Sequence, residues 1–312
     1  MIKFANGEAA GLVNPVVTIG SFDGVHIGHR EIIERLAAVA KRLGGEPVVL
    51  TFAAHPRFVI EPEYKMGILT TNDEKIALLK AFGAEHVLLL EFTNELAAMN
   101  AEDFLRTLLI GKLGIKGIIV GYDHVFGHDR KSGMEAIASA DIDGGEIYAE
   151  KVPPVMVGDR AVSSTRIRRE LEAGNADTAA AMLGRPYSIS GEVVRGRGIG
   201  KTVLGFPTAN IVLFDANKIV PANGVYAVKA RVDGGEALPA MLNIGNNPTF
   251  GGQRRTIEAH IFGINQELYG SSVTVSFYHR LRSEVKFASA DELRAKLTED
   301  KQTVSEYFKL LP

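Results

Sequence analysis

Short, solidly apolar runs alternate with stretches of helical periodicity through the first half of the chain, and few folds accommodate that order. Val16-Val17-Thr18-Ile19 reads as a buried strand. Ile32, Ile33, Leu36, Ala37, Ala40 and Leu43 then recur at helical spacing, which predicts a helix from about Gly28 to Leu43, stopped by Gly44-Gly45. Val48 to Phe52, Val87 to Leu90 and Ile118 to Val120 are further strands. Asp73 to Phe82, opened by Asn72 or Asp73, and Ala101 to Leu113 are further helices. Strands apolar on both faces and joined through helices predict a parallel sheet covered by helices on both faces.

The character changes after about residue 184. Two short helices, Ser164 to Ala173 and Ala176 to Leu183, precede Gly184-Arg185-Pro186. Beyond them the period is two, as in Tyr226 to Val232 before Asp233-Gly234-Gly235, and in Val273 to Tyr278. Several such strands close together predict a small antiparallel β-barrel. A last helix follows, with Ser289 and Glu292 as a capping box and Leu293, Leu297, Val304 and Phe308 as its apolar face. A chain of 312 residues is long for one core. The expected partition is two domains, residues 1–184 and 185–312.

Charge and composition narrow the function. Lys and Arg total 35 against 37 Asp and Glu, a balance that lacks the basic excess of a nucleic-acid binder. With no cysteine, disulfide scaffolds, thiolate zinc sites and cysteine nucleophiles are excluded. No apolar run approaches the ~20 residues of a membrane span. The first residues, MIKFANGEAAGLVNP, lack the pattern of a secretory signal, so a cytoplasmic enzyme is expected, as a monomer or weak homo-oligomer.

Gly20-Ser21-Phe22-Asp23-Gly24-Val25-His26-Ile27-Gly28-His29 lies where a strand ends and a helix begins, the ligand edge of an open α/β sheet. Glycines let backbone N–H groups approach phosphate oxygens, and a helix N-terminus adds positive potential. His26 and His29, three apart, can face one ligand and stabilise charge that develops on an α-phosphate. A structural pair at a helix cap, or a metal pair, is open on the same residues. Three later pieces fall at strand ends or helix starts. His55-Pro56 follows the second strand, and is a strand-to-loop turn if not a ligand contact. Gly121-Tyr122-Asp123-His124-Val125-Phe126-Gly127 follows the Ile118 strand; Asp123 there either contacts a nucleotide base or ribose or caps a turn. Ser163-Ser164-Thr165-Arg166 opens a helix, as an ordinary N-cap or as a site for β- and γ-phosphates.

In full, GSFDGVHIGHREII resembles the His-x-Gly-His motif of the nucleotidyltransferase superfamily and, at its full length, the start of bacterial bifunctional riboflavin kinase/FAD synthetases. The histidine motif, the His-Pro turn, the Gly-x-Asp loop and the Ser-Ser-Thr-x-x-Arg helix occur in that family's order. The resemblance implies a Rossmann-like nucleotidyltransferase domain. In it His26 and His29 are catalytic, while Gly20, Phe22, Asp23, Gly24, Gly28, Asp123, Ser164, Thr165 and Arg166 contact nucleotide. His55, Pro56 and Phe126 contact flavin. Ala53-Ala54 departs from the acidic-Pro pair expected before His55, and His124 from the usual aromatic.

Arg195-Gly196-Arg197-Gly198-Ile199-Gly200-Lys201-Thr202 is not a P-loop, because the glycine required five residues before Gly200 is Arg195. It reads as a basic, glycine-rich loop over phosphates. Thr208 and Asn210 of Gly205-Phe206-Pro207-Thr208-Ala209-Asn210-Ile211, two apart on an extended segment, point the same way and suit Mg2+, or else form a turn. GFPTANI, with Asn243 to Phe250, Ile257 to Phe262 and Leu281 to Phe287, resembles riboflavin kinase. That resemblance implies Thr208 and Asn210 as metal ligands, Glu258 as catalytic base, Gly198 and Lys201 at the nucleotide, and Asn246 and Arg282 at the flavin or phosphate loop. Lys201 stands where arginine is usual. From the residues alone, the dominant reading of Glu258 is an exposed strand glutamate paired with Arg255 or Arg254.

The combined resemblance implies a kinase followed by an adenylyltransferase. Riboflavin and ATP with Mg2+ give FMN, and FMN with a second ATP gives FAD and pyrophosphate. An adenylyltransferase for another phosphorylated precursor, with a barrel that only binds, is the alternative. A nucleic-acid-binding barrel is a third reading, disfavoured by the charge balance.

Overall fold

The computed structural model describes residues 11–61, 63, 65–122, 125–126, 131–132, 147–196, 205–249, 252–264 and 266–311. The chain divides by packing into two compact units, residues 1–164 and residues 165–312.

In the first unit β1 (Val16–Ile19), β2 (Pro47–Phe52), β3 (His86–Leu90), β4 (Gly117–Gly121) and β5 (Tyr148–Val152) form one parallel sheet in the order β3-β2-β1-β4-β5. Alternate residues serve different faces, which is why the strands read as unbroken apolar runs. Val17, Ile19, Val48, Leu50, Leu88, Leu90, Ile118 and Val120 join one buried cluster with Phe104, Leu105 and Leu108. Val16, Val49, Val87 and Ile119 join another with Ile33, Leu36 and Leu79. The helices that cover the sheet include α1 (Ile27–Arg42), α3 (Asn72–Ala81), α4 (Asn94–Ala98) and α5 (Ala101–Phe104), whereas the short α2 (Pro56–Ile60) buries no residue. Two two-residue ladders, Val125–Phe126 with Lys131–Ser132 and Met156–Val157 with Arg160–Ala161, lie outside the sheet.

Two local readings change. α3 is capped by Thr71, whose hydroxyl accepts from the Glu74 N–H at 3.3 Å while the Glu74 carboxylate accepts from the Thr71 N–H at 3.0 Å. Asn72 is drawn instead to the Ala53 carbonyl at 2.7 Å. The stretch Ala101 to Leu113 is not one α-helix. After α5 it widens into a π-helix, Leu105–Ile110, closed by bonds such as Gly111 N–H to Arg106 O at 2.9 Å. The wider turn buries Leu105, Leu108 and Leu109 together.

The second unit opens with α6, whose span Ser164–Ala173 starts at the last residue of the first unit, and α7 (Ala176–Leu183). Six strands then close a barrel: β6 (Tyr187–Val194), β7 (Ala209–Leu213), β8 (Gly224–Val232), β9 (Ala237–Thr249), β10 (Gly252–Ile261) and β11 (Ser272–Arg282), in the order β6-β7-β10-β9-β8-β11, every pair antiparallel. Ile189, Ile211, Leu242, Ala259 and Val275 lie on its buried face. On the outer face Ala227 and Met241 pack with Leu297, Val304 and Phe308 of α8 (Ala290–Leu310). Ser289 caps α8, but the Glu292 carboxylate accepts from the Ala288 N–H at 3.0 Å, so only half of the expected box forms. The packing division falls at 164/165, and the helices between it and residue 184 are tied to the barrel. Ala222 N–H donates to Leu171 O at 2.9 Å, and His279 Nδ1 lies 3.0 Å from the Asp177 carboxylate. Among the described residues no helix is long and apolar enough to cross a membrane.

Candidate active sites

From β1 the chain runs outward to β2 and β3, then returns to place β4 on the other side of β1. Where strand order reverses, the loops at the carboxyl ends part and leave a crevice. β1 ends in Gly20 to His29, β2 in Thr51 to His55, and β4 in Gly121-Tyr122, so three of the sequence motifs reach one edge of the sheet. Asp123 and His124 lie outside the described residues; Phe126 is described only as backbone of a short ladder.

The loop after β1 is held in a conformation its residue types resist. Phe22, Gly24 and Val25 have φ of 46°, 85° and 39°, and the left-handed region is unfavourable for a bulky or β-branched side chain. Tertiary bonds fix it. The buried Asp23 carboxylate accepts from Leu69 N–H at 2.9 Å and Thr70 N–H at 3.0 Å, and Gly24 N–H donates to the Thr70 hydroxyl at 3.0 Å. Ser164 Oγ donates to Asp23 O at 2.7 Å, and Thr51 Oγ1 to Ser21 O at 3.1 Å. Asp23 and Ser164, expected at the nucleotide, thus build the loop that would receive it. A Cβ on Gly20 would sit 3.2 Å from the Phe22 ring, and one on Gly28 3.2 Å from the His26 ring. Both glycines make room for rings.

His26 and His29 are cap residues and a stacked pair at once. His26 N–H donates to His29 Nδ1 and His29 N–H to His26 Nδ1, both at 3.3 Å, a capping box made of two imidazoles. Their rings stack at 3.6 Å, and Phe22 meets His29 edge-on at 4.9 Å. Because each Nδ1 accepts a backbone N–H, the neutral tautomer assigned to both rings carries its proton on Nε2. The cap and phosphate readings are therefore compatible: one nitrogen caps, the other is a donor. His55 likewise caps α2, its Nδ1 accepting from Arg57 N–H at 3.3 Å, with Pro56 at the first helical position.

Lys75 was not legible as part of this region. It is 6% exposed, and Nζ donates to Phe52 O at 2.8 Å at the end of β2. Burial lowers its pKa to about 8, partly opposed by the Asp23 charge.

The kinase motifs meet on the outer face of the barrel. Asn210 on β7 pairs in register with Glu258 on β10, which pairs with Asn243 on β9, so three polar side chains stand level across three strands. Gly196 lies against them; a Cβ there would clash with Asn210 Nδ2. Thr208 immediately precedes β7. Burial raises the pKa of Glu258, and among the described residues it has no ion-pair partner. Arg255 bonds Asn223 Oδ1 at 2.9 Å, Val220 O at 3.0 Å and Pro221 O instead. Thr208, Asn210 and Glu258 are hard oxygen donors, the set Mg2+ takes. Asn246 is exposed on β9. Gly198 and Lys201 lie outside the described residues.

Arg282 is engaged by α8. Its Nη2 and Nε reach the Asp300 carboxylate at 2.7 and 3.0 Å, and Asp300 is 3% exposed. The guanidinium is a polar anchor of α8 to β11, beside the ring contacts of Tyr278 with Phe308 and His279 with Tyr307. A cavity of about 350 Å³ opens between the Gly174-Asn175 turn and β11; Arg282 lines it, but Asn210 and Glu258 do not.

Residues 10–166 match the family described as FAD synthetase, and residues 183–308 the family described as riboflavin kinase. The bifunctional riboflavin kinase/FMN adenylyltransferase of Escherichia coli K12 is 36% identical over 95% of this chain and 93% of its own. The enzyme of the same description from Bacillus subtilis 168 is 36% identical over 94% and 92%. A Streptococcus pneumoniae protein solved as a macrolide-efflux protein shares the fold, with a TM-score of 0.87 and 34% identity over 96% of each chain. With two family domains in this order and such relatives along nearly its whole length, the chain belongs to the bifunctional riboflavin kinase/FMN adenylyltransferase family.

Proposed function

We propose that this chain phosphorylates riboflavin to FMN with its C-terminal half and adenylylates FMN to FAD with its N-terminal half, using one ATP in each step. Residues 1–184 carry adenylyl transfer and residues 185–312 the kinase, in the cytoplasm, with no nucleic-acid or membrane partner and as a monomer or weak homo-oligomer. The observation that carries the reading is the level row of Asn210, Glu258 and Asn243 on the barrel, a carboxylate kept basic by burial beside neutral oxygen donors.

In the kinase half Glu258 accepts the proton of the riboflavin terminal hydroxyl as that oxygen attacks the γ-phosphorus of ATP, and the bond from that phosphorus to the β–γ bridging oxygen breaks to release ADP. Thr208 and Asn210 hold Mg2+, which when bound neutralises charge on the phosphates. Gly198 and Lys201 cover those phosphates, and Asn246 and Arg282 border the flavin. In the adenylyltransferase half the FMN phosphate attacks the α-phosphorus of ATP. FMN arrives already ionised, so no strong base is needed. The Nε2–H groups of His26 and His29 stabilise the charge that grows on the α-phosphate oxygens. Gly20, Phe22, Gly24 and Gly28 shape the loop around the nucleotide, and Asp123 contacts its base or ribose. Ser164, Thr165 and Arg166 hold the departing pyrophosphate, and His55, Pro56 and Phe126 contact the flavin.

Incubation with riboflavin, ATP and Mg2+, with products separated over time, tests the order. FMN should appear first and FAD after it; FAD formation from added FMN without riboflavin phosphorylation would remove the kinase assignment.

A further inference from the structure

His260 follows Glu258 by two residues on β10 and so shares its outward face. The ring is 7% exposed. Its Nδ1 lies 2.8 Å from the Pro207 carbonyl, which can only accept, so Nδ1 carries the proton and donates. Nε2 is then a buried acceptor with no partner among the described residues. Phe206 meets the ring edge-on at 5.3 Å and Phe262 lies at 5.6 Å, with Lys301 Nζ 5.4 Å from the Phe262 ring. Burial lowers the His260 pKa, opposed by the Pro207 hydrogen bond and reinforced by the nearby Lys301 charge.

An unsatisfied acceptor in an aromatic enclosure is unfavourable, and an apolar side chain would suit that space better. The bond to Pro207 is what an apolar side chain could not make. Pro207 adjoins Thr208. The register that pairs Ala209 with Ala259 and Asn210 with Glu258, carried one step further, brings Thr208 level with His260. Pro207 has no N–H to donate, so its carbonyl is the one backbone group through which this residue can be held.

We infer that His260 is a positioning residue of the kinase site, a strut from β10 that fixes the Pro207-Thr208 turn at a set distance from Glu258. The inference rests on the reading of Thr208, Asn210 and Glu258 given above. It assigns His260 no contact with substrate. Displacing the turn by an ångström would misplace Thr208 and Asn210 relative to the carboxylate while leaving the barrel core intact.

The test uses the full chain in three variants. His260→Leu fills the space without a donor, His260→Asn keeps an amide N–H where Nδ1 stood, and Thr208→Ala removes the hydroxyl itself. The kinase Mg2+ requirement and turnover are measured, with adenylylation of FMN as the internal control. His260→Leu should raise the half-saturating Mg2+ concentration and lower kinase turnover about tenfold or more, leaving adenylylation unchanged, and His260→Asn should restore most of both. In ring-labelled wild-type protein, long-range proton–nitrogen spectra should show His260 as the neutral Nδ1–H tautomer. An Nε2–H tautomer, or a leucine variant with unaltered Mg2+ dependence beside an impaired Thr208→Ala, would overturn the strut. Unaltered Mg2+ dependence in Thr208→Ala would overturn the metal reading beneath it as well.

Discussion

At the end of β1, Phe22, Gly24 and Val25 take left-handed backbone angles within four residues, and two histidines cap the helix they are meant to arm. On the barrel, Asn210, Glu258 and Asn243 sit on paired strands and owe their alignment to register alone. The first site is a strained loop tied down by Asp23, Thr70, Thr51 and Ser164, and its functional side chains also stabilise it. The second is supported by a core on the other face of the same strands, so Asn210, Glu258 and Asn243 can change with little effect on folding. A scaffold that closes on itself separates function from stability; a strained turn joins them.

The largest effect should come from the barrel. Glu258→Gln keeps the register and removes the base, so FMN formation from riboflavin should fall about 10²–10⁴-fold. The melting temperature should hold, because a desolvated carboxyl is replaced by a neutral amide. A large fall in stability would erase the contrast between the sites. Next, His29→Ala should cost adenylyl transfer about 10²–10³-fold and also destabilise the protein by about 1 kcal/mol through the lost cap. His29→Gln separates the two roles, since glutamine at that position completes a capping box. Stability should return and activity should not. Recovery of both would make His29 a cap and nothing more.

Lys75 offers a third comparison. Its folded pKa of about 8 lies below the ordinary 10.5, so between those values the unfolded chain binds more protons and stability rises with pH. Measured by urea unfolding against Lys75→Met, the wild type should gain ~3 kcal/mol from pH 8 to 10.5. A flat difference would mean that Lys75 is not buried as a cation. The smallest effect is a shift in a pH profile. The raised pKa of Glu258 should carry the acid limb of kinase kcat/KM above the usual carboxylate range. The acid limb of adenylylation should not respond to Glu258→Gln.

Much of the architecture was legible because it follows from local periodicity. Val16 to Ile19 needed apolar neighbours on both faces, and the barrel strands needed one. The limits of α6 and α7 follow from their local pattern in the same way. Barrel strand order was not legible, since pairings such as Asn210 with Glu258 join residues far apart in sequence. The motif residues were visible as types, but their partners were not. The bonds from Leu69 and Thr70 to Asp23, the burial of Lys75 on α3, and the Asp300 anchor of Arg282 all depend on tertiary contact. His260 and Asn243 lay inside quoted motifs, yet only strand register shows that they face Glu258 and the turn beside it. Non-glycine residues at positive φ, as at Phe22 and Val25, carry no sequence signal of their own.

The central claim is that two independent sites share one chain, and a mixing experiment tests it directly. His29→Gln should make FMN from riboflavin and stop there; Glu258→Gln should make FAD only when FMN is supplied. Combined with riboflavin, ATP and Mg2+, the two variants should produce FAD that neither makes alone. A mixture that stops at FMN, with both proteins folded, would contradict two separable sites.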